Sequence, residues 1–150
     1  MKAFVWSAVC AVILLACTPT GSTDVSYNTS EEFKKLNLPF SEAVIVGNTI
    51  FLSGQVGNLP GQLTLAEGGI QGETQQAFEN IKRILEQNGS SLDNIVKCTI
   101  MLADIGEWGD FNKEYIKYFP GNKPARSAFG TSGLALNARV EIECIAVLKK

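Results

Sequence analysis

The sequence predicts an α+β fold, a single domain in which two helices pack on one face of a largely antiparallel or mixed sheet. Three observations predict it. The hydrophobic patterns follow the order β-β-α-β-α-β-β, residues 70–88 change to a helical period, and residues 140–148 alternate between apolar and other positions. A chain of 150 residues, 45% of them hydrophobic, is long enough to bury one core.

The N-terminal thirty residues are expected to lie outside this domain. Residues 1–16 have a positive start and an apolar run, which is shorter than the ~20 residues of a membrane span and is typical of a signal peptide. The run ends in LLAC at Cys17, which resembles a bacterial lipobox, where the cysteine is acylated. Residues 17–30 then form the lipidated cysteine and a flexible tether rich in Ser, Thr and Asn. We expect export to the cell envelope or periplasm and a lipid anchor at Cys17; a plain signal peptide is the alternative.

The folded domain is assigned to residues 31–150. A hairpin is expected around Gly47-Asn48, a strong two-residue turn signal, and Gly54 at the end of the second strand suggests a close approach by backbone or ligand. In order, the expected elements are a helical turn at 31–36, strands at 42–46 and 49–53, a possible short strand at 62–65, a helix at 70–88, a strand at 95–102, a helix at 104–119, and strands at 125–131 and 138–149.

The two helices follow from their spacing and their end signals. Apolar residues recur at every third or fourth position from Ile70, and Gly89 is a natural stop. Asp104, with Glu107 three residues later, is a capping-box variant that opens the second helix, and Pro120 ends it.

The last strand predicts a subunit interface. Even positions from Val140 are apolar and should pack under the helices, whereas the odd positions change from Glu141 and Glu143 to Ile145 and Val147. A sheet face with an apolar half usually marks an interface, so the pattern predicts a homo-oligomer that buries this second face.

Composition limits the chemistry. The chain has no histidine, which removes the usual general base at neutral pH, His-containing zinc sites and Ser-His-Asp mechanisms. A net charge of -2 without a basic run argues against nucleic acid as a partner. Cys98 and Cys144 lie at apolar strand positions, which favours buried thiols, although a disulfide is possible in an oxidising compartment.

Arg126 and Glu141 are the residues that can do chemistry. The guanidinium of Arg126 is a permanently charged fork that matches a carboxylate, and Glu141 would lie beside it if the two strands share a sheet. Together they would hold an organic acid and steer a water. The alternative is a surface arginine paired with Glu141 or Glu143.

Several motifs together resemble the Rid family of reactive-intermediate deaminases. They are SGQVG at 53–57, EGGIQGETQQAFENIKRIL at 67–85, SLDNIVK at 91–97, FNKEY at 111–115, PARS at 124–127 and VEIECIAV at 140–147. The resemblance implies a chorismate-mutase-like fold and a homotrimer whose sheets form an internal barrel, with three sites in clefts between subunits. It also implies hydrolysis of small 2-imino acids to 2-keto acids and ammonia, with no cofactor and no metal.

The resemblance assigns roles position by position. Arg126 corresponds to the carboxylate-binding arginine, and Glu141 to the glutamate that orients the attacking water or accepts its proton. The residues that would line the pocket are Phe40, Ser53, Gly54, Asn112 and Ala128. Phe40 stands where catalytically competent relatives often have tyrosine, and Ala128 where some have cysteine. Asn112 could equally be a helix-surface residue, and Glu143 an ion-pair partner of Arg139 or Lys97.

Three functions are compatible with these residues to different degrees. The first is a lipid-anchored imine and enamine deaminase. The second is a non-catalytic carboxylate-binding or chaperone-like module of the envelope on the same fold, favoured by Phe40 and by export. The third, an endoribonuclease, is argued against by the absence of histidine and of a basic face.

Overall fold

A computed structural model describes residues 24–149. The expected signal peptide, the lipidation site at Cys17 and the first part of the expected tether lie outside these residues. The strands are β1 (Val25–Asn28), β2 (Ala43–Val46), β3 (Thr49–Leu52), β4 (Gln55–Val56), β5 (Ile95–Leu102), β6 (Ala125–Gly130) and β7 (Val140–Val147), and the helices are α1 (Glu31–Lys34), α2 (Gly69–Gln87) and α3 (Trp108–Tyr115).

All the strands join one sheet. Its order is β1-β2-β3-β7-β5-β6, and the short β4 also pairs with β7. Every pairing is antiparallel except β5 with β6, which is parallel. One cluster of buried side chains joins α2 and α3 to a single face of the sheet. The predicted fold class, two helices on one face of a mixed sheet, is confirmed.

Two strands were not predicted. Residues 25–28, which the sequence assigned to the flexible tether, form an edge strand in register with β2, from Val25 opposite Val46 to Asn28 opposite Ala43. The alternating Val-Ser-Tyr-Asn pattern suits a strand, but the polar residues before it resemble a linker. The possible strand at 62–65 is only a bridge from Asn58 to Leu65, and the actual short strand is β4.

The second helix begins later than predicted. The Asp104 side chain accepts a hydrogen bond from the Gly106 backbone N–H at 2.8 Å, but it caps a 3₁₀ turn at 105–107 rather than α3 itself. Glu107 does not complete a capping box, because its carboxylate pairs with Arg139. Residues 116–118 form a further 3₁₀ turn after α3.

The last strand divides the molecule into a covered face and an open face. Its even positions are almost fully buried under the helices, as predicted. The odd positions lie on the other face, which we call the open face, together with Phe51 of β3 and Phe129 of β6. Both phenylalanines are nearly half exposed in the single chain.

Candidate active site

Arg126 lies in the edge strand β6 and points to the covered face of the sheet. It is in register with Cys98 of β5, which is fully buried under the helices. From there its Nη1 donates a hydrogen bond of 2.7 Å to Oδ1 of Asn112 in α3. The guanidinium carbon lies 4.6 Å from the centre of the Tyr115 ring and 5.7 Å from that of Trp108. The structure thus joins Arg126 to Asn112.

The guanidinium of Arg126 is open to a ligand. Within residues 24–149 no carboxylate forms an ion pair with it, so the alternative of a surface pair with Glu141 or Glu143 does not hold. Arginine has five N–H donors, and only one is used by Asn112. Arg126 lines two clefts. One has a volume of about 430 Å³ and is also lined by Lys123, and the other has a volume of about 380 Å³ and is also lined by Ala128. Lys123 is thus a second basic residue at the larger cleft.

Glu141 lies on the open face of the sheet and packs against Gly54. A Cβ on Gly54 would be 1.9 Å from Oε1 of Glu141, so only glycine allows this approach. β4 is paired with β7 here, with Val56 opposite Glu141. Burial raises the pKa of the Glu141 carboxyl, and the charge of Glu143 raises it further.

Ser53 precedes Gly54 in the chain, and a hydrogen bond joins it to the segment that contains Phe40. The Ser53 hydroxyl donates a 2.7 Å hydrogen bond to the carbonyl of Ser41, which ties the segment containing Phe40 to the end of β3. The Phe40 ring is about half exposed and packs edge-to-face on Phe33, with the ring centres 5.5 Å apart. We refer to Phe40, Ser53, Gly54 and Glu141 as the acid half of the site. Arg126, Asn112, Trp108, Tyr115 and Ala128 are the arginine half.

The two halves do not meet within one chain. Arg126 is in register with Cys98, and Cys98 with Cys144, so these three side chains share the covered face. Glu141 is three residues from Cys144 and points to the open face, because side chains alternate along a strand. With β5 between them, the Cα atoms of Arg126 and Glu141 are about 14 Å apart, estimated from strand spacing and rise. The expectation that a shared sheet would place them side by side is wrong for a single chain.

A buried glutamate fixes the strand that carries Glu141. Oε2 of Glu73 in α2 accepts a 2.7 Å hydrogen bond from the backbone N–H of Arg139, immediately before β7. Gly57 allows this helix to come close, since a Cβ there would lie 2.5 Å from the Cα and the carbonyl oxygen of Glu73. Glu73 thus positions the start of β7 from across the core.

Sequence reasoning missed three members of the arginine half and its cleft. Trp108, Tyr115 and Lys123 were not among the residues predicted from the sequence to line the pocket. The spacing of Tyr115, one helical turn beyond Asn112, was a usable signal. Glu143 was expected to pair with Arg139 or Lys97, but Arg139 pairs with Glu107, and the Lys97 ammonium donates to the Ser127 hydroxyl at 2.8 Å.

Residues 24–149 contain no group of three or more His, Cys, Asp or Glu side chains arranged to hold a metal ion. In the same range, no helix combines the length and apolar character needed to cross a membrane.

Comparison with known proteins identifies the family. A family model described as Endoribonuclease L-PSP matches residues 32–148. A rat protein named 2-iminobutanoate/2-iminopropanoate deaminase is 44% identical over 108 residues, which cover 72% of this chain and 79% of the rat protein. The structure of RidA from an Antarctic Psychrobacter has a TM-score of 0.71 at 32% identity, covering 86% of this chain and all of that one. This chain belongs to the Rid family.

Further Rid-family matches agree with this assignment. The human protein with the same name as the rat protein is 41% identical over 109 residues, or 73% of this chain and 80% of the human one. A putative endoribonuclease from Thermotoga maritima has a TM-score of 0.71 at 32% identity, covering 88% of this chain and all of that chain. The resemblance noted from the motifs is confirmed, and with it the chorismate-mutase-like fold.

Proposed function

We propose that this protein hydrolyses small 2-imino acids, and the enamines that convert to them, to 2-keto acids and ammonia. The observation that carries the proposal is the guanidinium of Arg126, which is held by Asn112 and has no carboxylate partner among the described residues. Relatives named for the deamination of 2-iminobutanoate and 2-iminopropanoate support the reaction class.

We infer that the working site is shared between two copies of the chain in a homotrimer. The arginine half and the acid half lie on opposite faces of one sheet, so a second copy is needed to bring them together. In a closed three-fold ring, each subunit presents one surface to one neighbour and a different surface to the other. Such a ring would bury the open face and create three sites.

The proposed chemistry uses only side chains and water. The Arg126 fork holds both carboxylate oxygens, which fixes the imine carbon for attack. The Glu141 carboxylate of the partner subunit accepts a proton from a water molecule while the water oxygen adds to the C=N carbon. Glu141 passes this proton to the imine nitrogen, which gives a carbinolamine. It then takes the proton of the new hydroxyl and delivers it to the amine, so ammonia leaves as the C–N bond breaks and the carbonyl forms. A raised pKa suits Glu141 to both proton transfers.

The test is direct measurement of imine hydrolysis. Protein without residues 1–17 should accelerate the release of keto acid from freshly generated 2-iminopropanoate. Arg126→Ala should reduce this acceleration at least tenfold, since a charge-assisted hydrogen bond contributes about 1.5–3 kcal/mol. Lys34→Ala, which removes an exposed cation from α1, is the control and should retain full activity. Equal rates with and without the wild-type protein would refute the proposal.

A second candidate, a non-catalytic carboxylate-binding module, is favoured by one residue. Phe40 provides a ring but no hydroxyl, and it is about half exposed in the acid half. The loss of one neutral hydrogen bond costs about 0.5–1.5 kcal/mol, which would slow hydrolysis without abolishing it. Calorimetric binding of 2-oxobutanoate that requires Arg126, in protein with no turnover, would favour the binding module.

Cleavage of RNA, suggested by the description of the family model, is not part of our proposal. A net charge of -2 provides little attraction for phosphates. We expect no retention of single-stranded RNA at low salt.

We also propose that the protein is exported and anchored at Cys17. This proposal is supported by the apolar run near the N-terminus, which ends in LLAC. In a bacterial host, labelled palmitate should be incorporated into the wild-type chain and not into Cys17→Ser. Equal labelling of the two would contradict the anchor.

A further inference from the structure

Two thiols face each other beneath the arginine half of the site. Cys98 of β5 and Cys144 of β7 are directly opposite in register, and their sulfur atoms are 3.4 Å apart. Directly opposed residues of antiparallel strands have Cα atoms about 4.5 or 5.5 Å apart, and both separations lie within the range of disulfides. A disulfide needs the sulfurs at about 2.05 Å, so they must approach by a little over 1 Å, which side-chain rotation supplies.

We propose that Cys98 and Cys144 form a disulfide that joins β5 to β7 when the chain folds under oxidising conditions. The inference stands on the strand register and the sulfur separation and does not depend on the deaminase activity. It is compatible with the apolar signals at the N-terminus, because disulfides persist in exported proteins.

The bond must form before the sheet is complete. Both residues are at most 1% exposed in the folded chain, which leaves no path for an external disulfide to reach them. We therefore place the reaction in the folding chain, while β5 and β7 are coming together. Once formed, the bond would be shielded from reductants by the same burial.

Formation of the bond requires an oxidant, which can be an external disulfide such as oxidised glutathione. The Cys98 thiolate attacks one sulfur of that disulfide, forms a mixed disulfide and releases the first thiolate. The Cys144 thiolate then attacks the Cys98 sulfur and releases the second. Two thiol protons are lost, and the two electrons reduce the external disulfide to two thiols.

In the folded chain the pKa values of the two thiols are shifted in opposite directions. The hydrogen bond with Cys144 lowers the pKa of the Cys98 thiol, assisted by Tyr115 and by the charges of Arg126 and Lys97, whereas burial opposes this. The pKa of Cys144 is raised, first by the same hydrogen bond and then by burial. These directions describe the native arrangement toward which the strands converge.

The bond would stabilise the sheet around the site. It closes a loop between residues 46 positions apart. Restricting the unfolded chain by a loop of this length should raise the melting temperature by roughly 10 °C. The bond would also link β7, which carries Glu141, to β5, which pairs with the strand that carries Arg126.

The experiment is refolding followed by peptide mapping. The full-length chain, denatured and reduced, is refolded in a mixture of reduced and oxidised glutathione, alkylated, and digested with trypsin without reductant. The expected product is one species that links the peptide Cys98–Lys113 to the peptide Val140–Lys149 and separates on reduction. Wild type refolded in excess reductant should melt roughly 10 °C lower than wild type refolded in the glutathione mixture.

A variant provides the matched control. Cys98→Ser should give no linked peptide, and its melting temperature should be the same after refolding in the glutathione mixture and in excess reductant. If that variant fails to fold, the melting temperatures of wild type refolded with and without oxidant still show whether the disulfide forms and stabilises the protein. Two alkylated thiols at Cys98 and Cys144 after refolding, or either sulfur bound to glutathione or to Cys10 or Cys17, would overturn the proposal.

Discussion

At the scale of single residues, the position of Arg126 depends on one amide. The 2.7 Å hydrogen bond that Arg126 donates to the Asn112 amide oxygen, together with the face of Tyr115, holds the guanidinium in one orientation without neutralising it. An aspartate in place of Asn112 would compete with the substrate carboxylate. The amide therefore suits a site that must remain open to an anion.

Asn112→Ala should weaken substrate binding more than it slows the chemistry. A hydrogen bond to a charged group contributes about 1.5–3 kcal/mol, so KM should increase at least about tenfold. Steady-state kinetics with 2-iminopropanoate would measure it. The neighbouring Lys113→Ala, which removes an exposed ion pair with Asp110, should leave KM unchanged. An unchanged KM in Asn112→Ala would show that this hydrogen bond does not position Arg126 for binding.

The raised pKa of Glu141 predicts a pH dependence of stability. Because the native state holds this proton more tightly than the unfolded chain does, Glu141 destabilises the fold as the pH rises through its raised pKa. Glu141→Gln should therefore increase the free energy of unfolding near neutral pH. The gain should vanish well below the ordinary value of 4.5, where both states are protonated.

Urea unfolding at several pH values would check this. Glu86→Gln, at an exposed position of α2, is the control for removing a surface charge. A gain from Glu141→Gln that is as large in acid as at neutral pH would contradict the assignment of the effect to ionisation.

At the scale of elements, two glycines separate function from stability. A Cβ on Gly54 meets the end of the Glu141 side chain, which can rotate away, whereas a Cβ on Gly57 meets the Glu73 backbone. Gly54→Ala should displace the Glu141 carboxylate and lower kcat while the melting temperature changes little. Gly57→Ala should lower the melting temperature, since overpacking typically costs about 1–3 kcal/mol.

Thermal unfolding and deaminase assays on both variants would test this contrast. Full activity in Gly54→Ala would mean that the observed position of Glu141 is not needed. A folded and fully stable Gly57→Ala would mean that α2 can move away from β4.

The elements also show what the sequence could and could not predict. The alternation in β7 and the helical period from Ile70 were enough to predict the covered face and the fold class. The relation of Arg126 to Glu141 was not predictable, because alternation fixes the face of a residue only within its own strand. The relative position of residues in β6 and β7 depends on how both strands pair with β5, and a local sequence pattern does not contain this register.

Local sequence patterns gave a wrong prediction in two places. Residues 25–28 pair as an edge strand although they follow a stretch typical of a linker. At Glu107, a capping role was expected from spacing alone, and the competing partner, Arg139, lies 32 residues away in the sequence. A long-range ion pair of this kind is invisible to a local pattern.

At the scale of the whole molecule, the open face predicts assembly. Phe51 is 44% exposed there, next to the apolar half of β7. A lysine at this position should cost the isolated chain little, but it would place a charge in a buried interface. Phe51→Lys should therefore elute as a folded monomer and lose deaminase activity.

Light scattering and circular dichroism would measure mass and fold together. Leu63→Lys, which replaces an equally exposed apolar residue outside the sheet, should retain the mass and activity of the wild type. A Phe51→Lys protein that keeps the wild-type mass would contradict burial of the open face.

In the proposed site, Arg126 of one subunit works with Glu141 of another, and mixing two inactive variants tests this pairing. Arg126→Ala and Glu141→Ala are unfolded together in equal amounts and refolded, and native mass spectrometry verifies mixed assemblies. If sites are shared, about one quarter of them receive both wild-type side chains, so about a quarter of the wild-type activity should return. Mixed assemblies that stay as inactive as their parents would contradict the account.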